Sequence, residues 1–388
     1  MSDPHPDGLS AFDDFLIHQV PEPVRHLATS DRNFYDRHYF NAHAGDDSFF
    51  LILGLGQYPN RGTQDAFVTV RVGDRQTTLR SSRRLADRSD MSCGPIRVEV
   101  LEGLKRLRLT IGPNDSGIEA DLVFVGDHSP RLEPRQIMRR NGRVIHDVMR
   151  YCQSACYEGW LSLGERRWAS GDTPLRGYRD RSWGIRPIGR PESADEAPVG
   201  DRAVSGLFGT TDFRRLHMSC RFEGFSINIK LHEDGAGRRA LEEAIRLWHD
   251  GRPPESLGRP YWENLRFSAD RRFIEQADVR FVQEGMPDKV LAIRQLLPVY
   301  LEAGTGYGNR TLLKWIHGQY RGEEVTDVAT FDLNRRDPVL AGPIDCLAEM
   351  AFEGQRGEGL FEYTLFGRTD GFTGQGHFNE WPQAAAKE

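Results

Sequence analysis

Apolar and polar residues alternate with a period of two along much of the chain. Val68, Val70 and Val72, for example, alternate with Thr69 and Arg71. Because side chains two positions apart share one face of a β-strand, this pattern predicts a half-buried strand of an antiparallel sheet. The same period recurs at residues 96–100, 106–111, 119–124, 225–231 and 361–365. The chain is therefore predicted to be all-β in its main elements.

Turn-forming residues separate these strands at short intervals. Combinations of glycine with proline, asparagine or aspartate occur at residues 58–62, 73–74, 112–115 and 126–127. Such residues adopt the backbone angles that tight reversals require, so they mark hairpins between strands. Many short antiparallel strands joined in this way favour a β-barrel or a sandwich.

One segment follows a helical period instead. Between Arg239 and Trp248, the apolar side chains at positions 241, 244, 245 and 248 fall on one stripe of a helix. Gly251 and Pro253 follow closely and would end that helix. The pattern predicts a short helix within the second half of the chain.

The length of 388 residues exceeds what one hydrophobic core usually needs, so two domains are expected. The segment Arg190–Pro198 is rich in proline and acidic residues, a composition typical of a linker. We predict an N-terminal extension at 1–32, a first β-barrel at 33–189, a linker at 190–202 and a second β-barrel at 203–388.

Charge and cysteine content narrow the classes of function. The 51 basic and 57 acidic residues give a formal net charge of −6 and are spread along the chain, so no nucleic-acid partner is expected. No window is long and apolar enough for a transmembrane helix, and the first residues lack the pattern of a secretory signal. Five cysteines, an odd number in a large chain, favour reduced thiols and a cytoplasmic protein.

The sequence contains no clear pattern for a metal or a nucleotide. His38 and His43 are five positions apart, so on one strand they would face opposite ways. Gly304–Asn309 is rich in glycine, but its third glycine is misplaced for a dinucleotide-binding loop and no helix follows. We therefore expect neither a metal nor a cofactor.

The segment Leu175–Pro187, LRGYRDRSWGIRP, is the strongest candidate for chemistry. On a strand, Tyr178 and Asp180 would share one face, and Arg179 and Arg181 the other. The phenol and the carboxyl group are then expected inside a barrel, with the guanidinium groups outside. A carboxyl group enclosed by apolar residues tends to keep its proton and can act as a general acid. The competing interpretation is a structural ion pair between Asp180 and an arginine of the same segment.

Further side chains are candidates for binding a substrate. They are Trp183, Trp160, Tyr39, His38 and Arg179. Aromatic rings offer large apolar faces that suit a hydrophobic ligand or a cationic intermediate. For each aromatic residue and for His38, ordinary packing in the core is the competing interpretation.

The segment Gly177–Gly184 resembles a signature of the AttH/carotenoid 1,2-hydratase superfamily, in which an aspartate precedes a Trp-Gly pair. Asn33–Asn41 and Gly56–Asn60 are also similar to segments of that superfamily. The resemblance implies two tandem lipocalin-like (calycin) β-barrels. It also implies roles for Tyr178 and Asp180, which match the Tyr-x-Asp pair of the carotenoid hydratases, with the carboxyl group as proton donor.

Two departures separate this chain from the carotenoid hydratases. Arg181 stands where a histidine usually follows the aspartate, and residues 150–154 contain no His-x-Trp pair. The resemblance implies a cofactor-independent enzyme that binds a hydrophobic isoprenoid, steroid-like or polyketide-derived molecule. With Asp180 as general acid, the reaction would be hydration, dehydration, isomerisation or cyclisation. A non-catalytic carrier of an apolar metabolite and a template for a pericyclic reaction are the alternatives.

Overall fold

The structure, a computed structural model, describes residues 8–140, 142–188, 213–234, 237–269, 273–307, 315–335 and 343–366. These residues fall into two compact units. The first is drawn from Met1–Ala44, Ser48–Arg202 and Tyr300–Gly342, and the second from Gly45–Asp47, Ala203–Val299 and Pro343–Glu388. The first unit thus includes a segment from the C-terminal half of the chain. The predicted domain boundaries stay a prediction, and the predicted linker at 190–202 lies outside the described residues.

The described residues form β-strands throughout both units. In chain order the strands are β1 Phe34–His43, β2 Phe50–Tyr58, β3 Thr63–Val72, β4 Arg75–Arg84, β5 Ser92–Cys93, β6 Ile96–Glu102, β7 Arg106–Ile111, β8 Ile118–Gly126, β9 Arg131–Leu132, β10 Gln136–Arg140, β11 Arg143–Leu163, β12 Arg166–Ala169, β13 Leu175–Ile185, β14 Phe213–Arg221, β15 Phe225–Asp234, β16 Arg239–Trp248, β17 Glu255–Ser256, β18 Arg259–Phe267, β19 Ile274–Val282, β20 Lys289–Tyr300, β21 Glu324–Asp332, β22 Ile344–Phe352 and β23 Gln355–Phe366.

The first unit contains an antiparallel sheet whose main path runs β21, β4, β3, β2, β1, β13, β11, β8, β7, β6, β5. Most neighbours along this path are hairpins. One pair that is not a hairpin joins β13 to β1, which lies far from it in sequence. In this antiparallel pair, Phe34 lies opposite Ile185 at one end and His43 lies opposite Arg176 at the other. At the far end, β5 and β6 come back into contact with β3, so the sheet curls upon itself.

The second unit contains an antiparallel sheet in the order β17, β16, β15, β14, β23, β22, β20, β19, β18. The prediction of an all-β chain with two tandem lipocalin-like barrels is confirmed, one of them nearly closed and the other a half-barrel. Among the described residues, the helices are two short 3-10 turns, Ala11–Asp14 and Pro59–Arg61. Neither has the length or the apolar composition that a membrane span requires.

Burial confirms the alternation that the sequence predicted. In β8, Ile118, Ala120, Leu122 and Phe124 are buried, whereas the residues between them are partly exposed. All four belong to the main hydrophobic core of the first unit, together with apolar residues of β1 to β3. Each large apolar side chain buried in this way stabilises the fold by about 1.5–3 kcal/mol.

The helix predicted between Arg239 and Trp248 is wrong. These residues form β16, which pairs with β15 from Phe225 opposite Trp248 to Glu233 opposite Arg239. Residues 244–247 are all buried, so this part of the strand is covered on both faces. A segment that is apolar on both faces satisfies helical spacing as well as strand spacing, and the pairing with β15 decides between them.

Candidate functional site

The two faces of β13 have different surroundings. Residues directly opposite each other in an antiparallel pair place their side chains on the same face of the sheet. Arg181 lies opposite His38 of β1 and Tyr151 of β11, whereas Asp180 lies opposite Tyr39. Arg179 and Arg181 therefore share a face with His38, and Asp180 lies on the other face together with Arg176.

A cavity of about 410 Å³ lies on the His38 face of the sheet. Its volume falls within the range of roughly 300–1,000 Å³ that is usual for small-molecule sites. Much of the lining is apolar and comes from Ile17, Val24, Leu55, Met91, Leu104 and Leu107. Leu55 and Leu107 also belong to the main core, so the cavity is continuous with the hydrophobic interior of the first unit.

The polar part of the lining carries an excess of positive charge. Arg88, Arg179 and Arg181 reach the cavity, together with the carboxylate of Asp36. Arg88 and Arg181 both pair with Asp36, and the Arg88 Nη2 to Asp36 Oδ2 distance is 3.1 Å. Three guanidinium groups facing one carboxylate leave an excess of two positive charges. Such a wall favours an anionic or electron-rich oxygen atom of a ligand.

Arg179 is held rigidly in this wall. Its Nε and Nη2 donate to Oε1 of Gln153 at 3.0 and 2.8 Å. The guanidinium also lies over the rings of Phe124 and Tyr151, 4.9 and 5.3 Å from their centroids. Burial lowers the pKa of this guanidinium, but arginine stays charged at neutral pH. The side chain therefore supplies a fixed positive charge to the cavity.

His38 is a buried, neutral imidazole in the lining of the cavity. Its ring stacks on Phe40, with 5.6 Å between centroids and 11° between planes. Burial lowers the pKa of His38 well below 6.5, and the charges of Arg181 and Arg179 lower it further. Its Nδ1 is buried and makes no hydrogen bond with the residues that the structure describes. A neutral imidazole beside two guanidinium groups can accept a proton while the arginines stabilise the negative charge left behind.

Asp180 and Tyr178 lie on the face of β13 that is turned away from this cavity, whereas Arg179 and Arg181, which were expected outside the barrel, line it. The catalytic roles of Asp180 and Tyr178 stay a prediction. The Asp180 carboxylate lies 3.8 Å from Nε of Arg150, and its side chain is 13% exposed. The predicted ion-pair partner was an arginine of the same segment, but Arg150 belongs to β11. Burial opposes the charge of Arg150, yet the carboxylates of Asp180 and Glu133 hold the pKa of its guanidinium well above the ordinary value.

Tyr178 and Tyr39 accompany Asp180 on that face. Their rings meet edge to face, with 6.3 Å between centroids. Burial raises the pKa of Tyr178 well above 10, and nearby Cys152 and Asp180 raise it further. The two predicted catalytic residues are therefore adjacent and mostly buried, but they are separated from the cavity by the sheet itself.

The remaining predicted residues lie in different places. Trp183 shares the cavity face of β13, where its ring meets Tyr151 edge to face at 6.2 Å. Trp160 lies further along β11, under the guanidinium of Arg167 at 4.1 Å. Of the predicted set, the structure brings His38 and Arg179 together in the cavity. Tyr39, with the predicted catalytic residues Tyr178 and Asp180, lies on the other face.

Part of the polar lining was not among the residues predicted from the sequence. Asp36 and His38 are two positions apart, so their shared face could have been read from the sequence. Arg88 and Tyr151 come from distant parts of the chain, and nothing local in the sequence marks them as neighbours. The pairing of β11 with β13 brings Tyr151 to the site, and Arg88 reaches it from the loop between β4 and β5, where it pairs with Asp36.

Comparison with known proteins gives the family. Residues 9–373 match the sequence profile of a family of unknown function, DUF8625. The chain belongs to the DUF8625 family. Among curated proteins, no sequence matches this DUF8625 chain.

Solved structures resemble the DUF8625 chain in fold. An AttH-like protein from Nitrosomonas europaea superposes with a TM-score of 0.53 and 11% identity, covering 95% of this chain and 100% of that one. Kievitone hydratase from Nectria haematococca gives a TM-score of 0.42 at 10% identity, covering 85% and 88%. CghA with Sch210972 gives 0.45 at 9% identity, covering 86% and 89%. The first similarity confirms, at the level of the fold, the resemblance to the AttH superfamily.

Proposed function

We propose that the DUF8625 chain is an enzyme that binds an apolar small molecule in the cavity of its first unit and moves a proton next to an oxygen atom of that molecule. One observation carries the proposal: a largely apolar cavity has an excess of positive charge and a neutral His38 in its polar part. The substrate is then an amphipathic molecule with one carboxylate, enol or carbonyl oxygen. Its carbon skeleton fills the apolar part.

Arg179 and Arg181 hold the oxygen atom in this proposal. When a proton leaves the carbon next to a carbonyl group, the electrons of the C–H bond form a C=C bond and the carbonyl oxygen becomes negative. Fixed cations in an enclosed site stabilise that charge. His38 accepts the proton. If the substrate is a β,γ-unsaturated carbonyl compound, His38 returns the proton to the γ carbon of the dienolate, which is an isomerisation. If it carries a β-hydroxyl group, the C–O bond breaks, the enolate electrons form the new C=C bond and the hydroxyl group leaves with the proton as water, which is a dehydration. The hydro-lyase or isomerase class is also the class that the AttH resemblance implies.

The test begins with the compound that copurifies with the protein. Native mass spectrometry gives its stoichiometry, and extraction gives its structure. The proposal predicts an apolar compound with an enolisable carbonyl group, which exchanges carbon-bound hydrogen for deuterium in heavy water. His38→Gln should abolish the exchange, and His26→Gln, at an exposed histidine, should leave it unchanged. A polar or phosphorylated compound would contradict the proposal, and a compound bound without exchange would indicate a carrier.

A second candidate places the chemistry on the other face of β13. It is favoured by the burial of Asp180, whose side chain is 13% exposed, beside the buried ring of Tyr178. Here Asp180 is the general acid for hydration, isomerisation or cyclisation of an isoprenoid, steroid-like or polyketide-derived molecule, and Tyr178 orients it. Asp180→Asn should then abolish turnover of the identified compound, whereas His38→Gln should spare it. If both variants keep most of the rate, a template for a pericyclic reaction is favoured instead.

A further inference from the structure

Large apolar side chains are exposed on two segments that also contribute to the lining of the cavity. We call this group the mouth collar, and it consists of Phe15, Leu16, Ile17, Val100, Leu101 and Leu104. Ile17, Val100 and Leu104 line the cavity directly, and the other three adjoin them in sequence. Leu16 is fully exposed, and the exposed fractions of the others lie between 46% and 59%. Exposed apolar patches of this kind mark interaction surfaces.

The N-terminal half of the mouth collar is held in place by anchors on both sides. Before it, Ser10 caps the 3-10 turn Ala11–Asp14 through a reciprocal pair of hydrogen bonds with Asp13. After it, the backbone N–H of Val24 donates to Asp13 at 2.8 Å, and its carbonyl oxygen accepts from Arg88 at 3.2 Å. The loop that carries Phe15 to Ile17 therefore presents its apolar side chains from a fixed base.

The other half of the mouth collar is the tip of the hairpin between β6 and β7. Leu104 has a φ of 65°, a left-handed conformation that favours glycine or asparagine. Its side chain is half exposed and gains little from packing at this position. Val100 and Leu101 precede it in the same hairpin. The stability of the hairpin does not explain three exposed apolar side chains at this end, whereas contact with an apolar partner would.

The area and the charge of the mouth collar indicate which kind of partner it can bind. Six side chains with these exposed fractions offer on the order of 600 Å², less than the ~800 Å² that each partner buries in a stable protein complex. The mouth collar is carried by residues 13–17 and 99–106. The charged residues of these two segments are Asp13, Asp14, Glu99, Glu102, Lys105 and Arg106. Since acidic groups outnumber basic ones, these two segments themselves do not attract an anionic surface.

We propose that the mouth collar docks on a zwitterionic lipid surface, from which the apolar ligand enters the cavity. The proposal rests on the proposed function, because a molecule that suits the cavity dissolves poorly in water and collects in lipid. Apolar side chains on two projecting loops reach the interfacial region of a bilayer without any membrane-spanning segment. The docking is weak and reversible, and salt does not affect it.

The test is flotation of the full chain with phosphatidylcholine vesicles. The collar variant is Leu16→Ser with Leu101→Ser, neither of which lines the cavity. The control variant is Ile137→Ser with Met286→Ser, at residues that are 47% and 55% exposed elsewhere on the chain. We expect at least a tenfold loss of vesicle-bound protein in the collar variant, no loss in the control, and no change with high salt or added anionic lipid.

Other results would overturn the proposal. The proposal would be overturned if the unchanged protein did not bind the vesicles. It would also be overturned if vesicle binding fell equally in the collar variant and the control variant. If the collar variant instead abolished a dimer seen without lipid, the mouth collar would be an interface between two copies. Binding of a fluorescent fatty acid in lipid-free buffer is measured in parallel and should be equal in all three proteins. If the unchanged protein did not bind the fatty acid, the cavity would not be a ligand site, whatever the vesicle result.

Discussion

His38 gives the stability of the protein a defined dependence on pH. Burial lowers its pKa well below the ordinary 6.5, and Arg181 and Arg179 lower it further. The folded-state pKa is thus below the unfolded-state pKa, so the unfolded state binds more protons as the pH falls through about 6.5. The free energy of unfolding is therefore highest above that pH and decreases on acidification.

The size of the effect follows from the difference in bound protons. If a group stays unprotonated in the folded state, the free energy of unfolding falls by about 1.36 kcal/mol for each pH unit at pH values well below the group's unfolded-state pKa. Between about pH 7.5 and about pH 5.5, the integrated loss from one such histidine is on the order of 1 kcal/mol. Glutamine does not titrate, so His38→Gln should remove this contribution. The difference in unfolding free energy between the two proteins should change by that amount over the interval.

Urea unfolding at a series of pH values measures this difference. His128 also has a pKa lowered by burial, but it is present in both proteins, so its contribution cancels. His26→Gln, at an exposed histidine, is the control and should follow the unchanged protein. If the curves of unfolding free energy against pH were parallel for the unchanged protein and for His38→Gln, His38 would not be a buried neutral group and the reasoning about the cavity would fail.

Further predictions concern the frame around the site. Asp36→Asn removes the carboxylate shared by two arginines and should lower the free energy of unfolding by about 2–3 kcal/mol, measured with urea; a loss below about 0.5 kcal/mol would refute this. Gly177→Ala places Cβ 2.0 Å from a backbone oxygen, so its melting temperature should drop sharply, whereas Gly171→Ala, with nothing within 4 Å, should leave it unchanged. Burial raises the pKa of the Cys93 thiol, so iodoacetamide should modify the partly buried Cys156 first, as followed by mass spectrometry; early modification of Cys93 would contradict its burial.

Strands with one buried face could be predicted from sequence, because burial of one face requires apolar residues at every second position. The alternation in β8 shows this, since its apolar positions all reach the core. β16 could not be predicted, because its second half is buried on both faces and loses the period. The pairing of β21 with β4 joins residues far apart in the chain, and a strand pattern does not name its partner.

The candidate site could be predicted only in part for a similar reason. The separation of Asp180 from Arg179 and Arg181 on two faces of β13 follows from alternation. Alternation does not show which of the two faces lines the cavity. The arginine face was not expected to, because arginines are rarely buried without partners. Here the partners, Asp36 and Gln153, come from other strands. The orientation of β13 is therefore a property of the assembled sheet.

The central claim is that the cavity of the first unit binds an apolar molecule with its anionic end against the arginines. The most direct measurement is a fluorescence titration with a polyene fatty acid, using the unchanged protein, Arg181→Gln and the exposed control Arg97→Gln. Arg181→Gln leaves the pair between Arg88 and Asp36 in place. We expect one saturable site per chain, about tenfold weaker in Arg181→Gln, since a charge-assisted hydrogen bond contributes about 1.4 kcal/mol or more. Equal affinities in all three proteins, or no saturable binding, would contradict the claim.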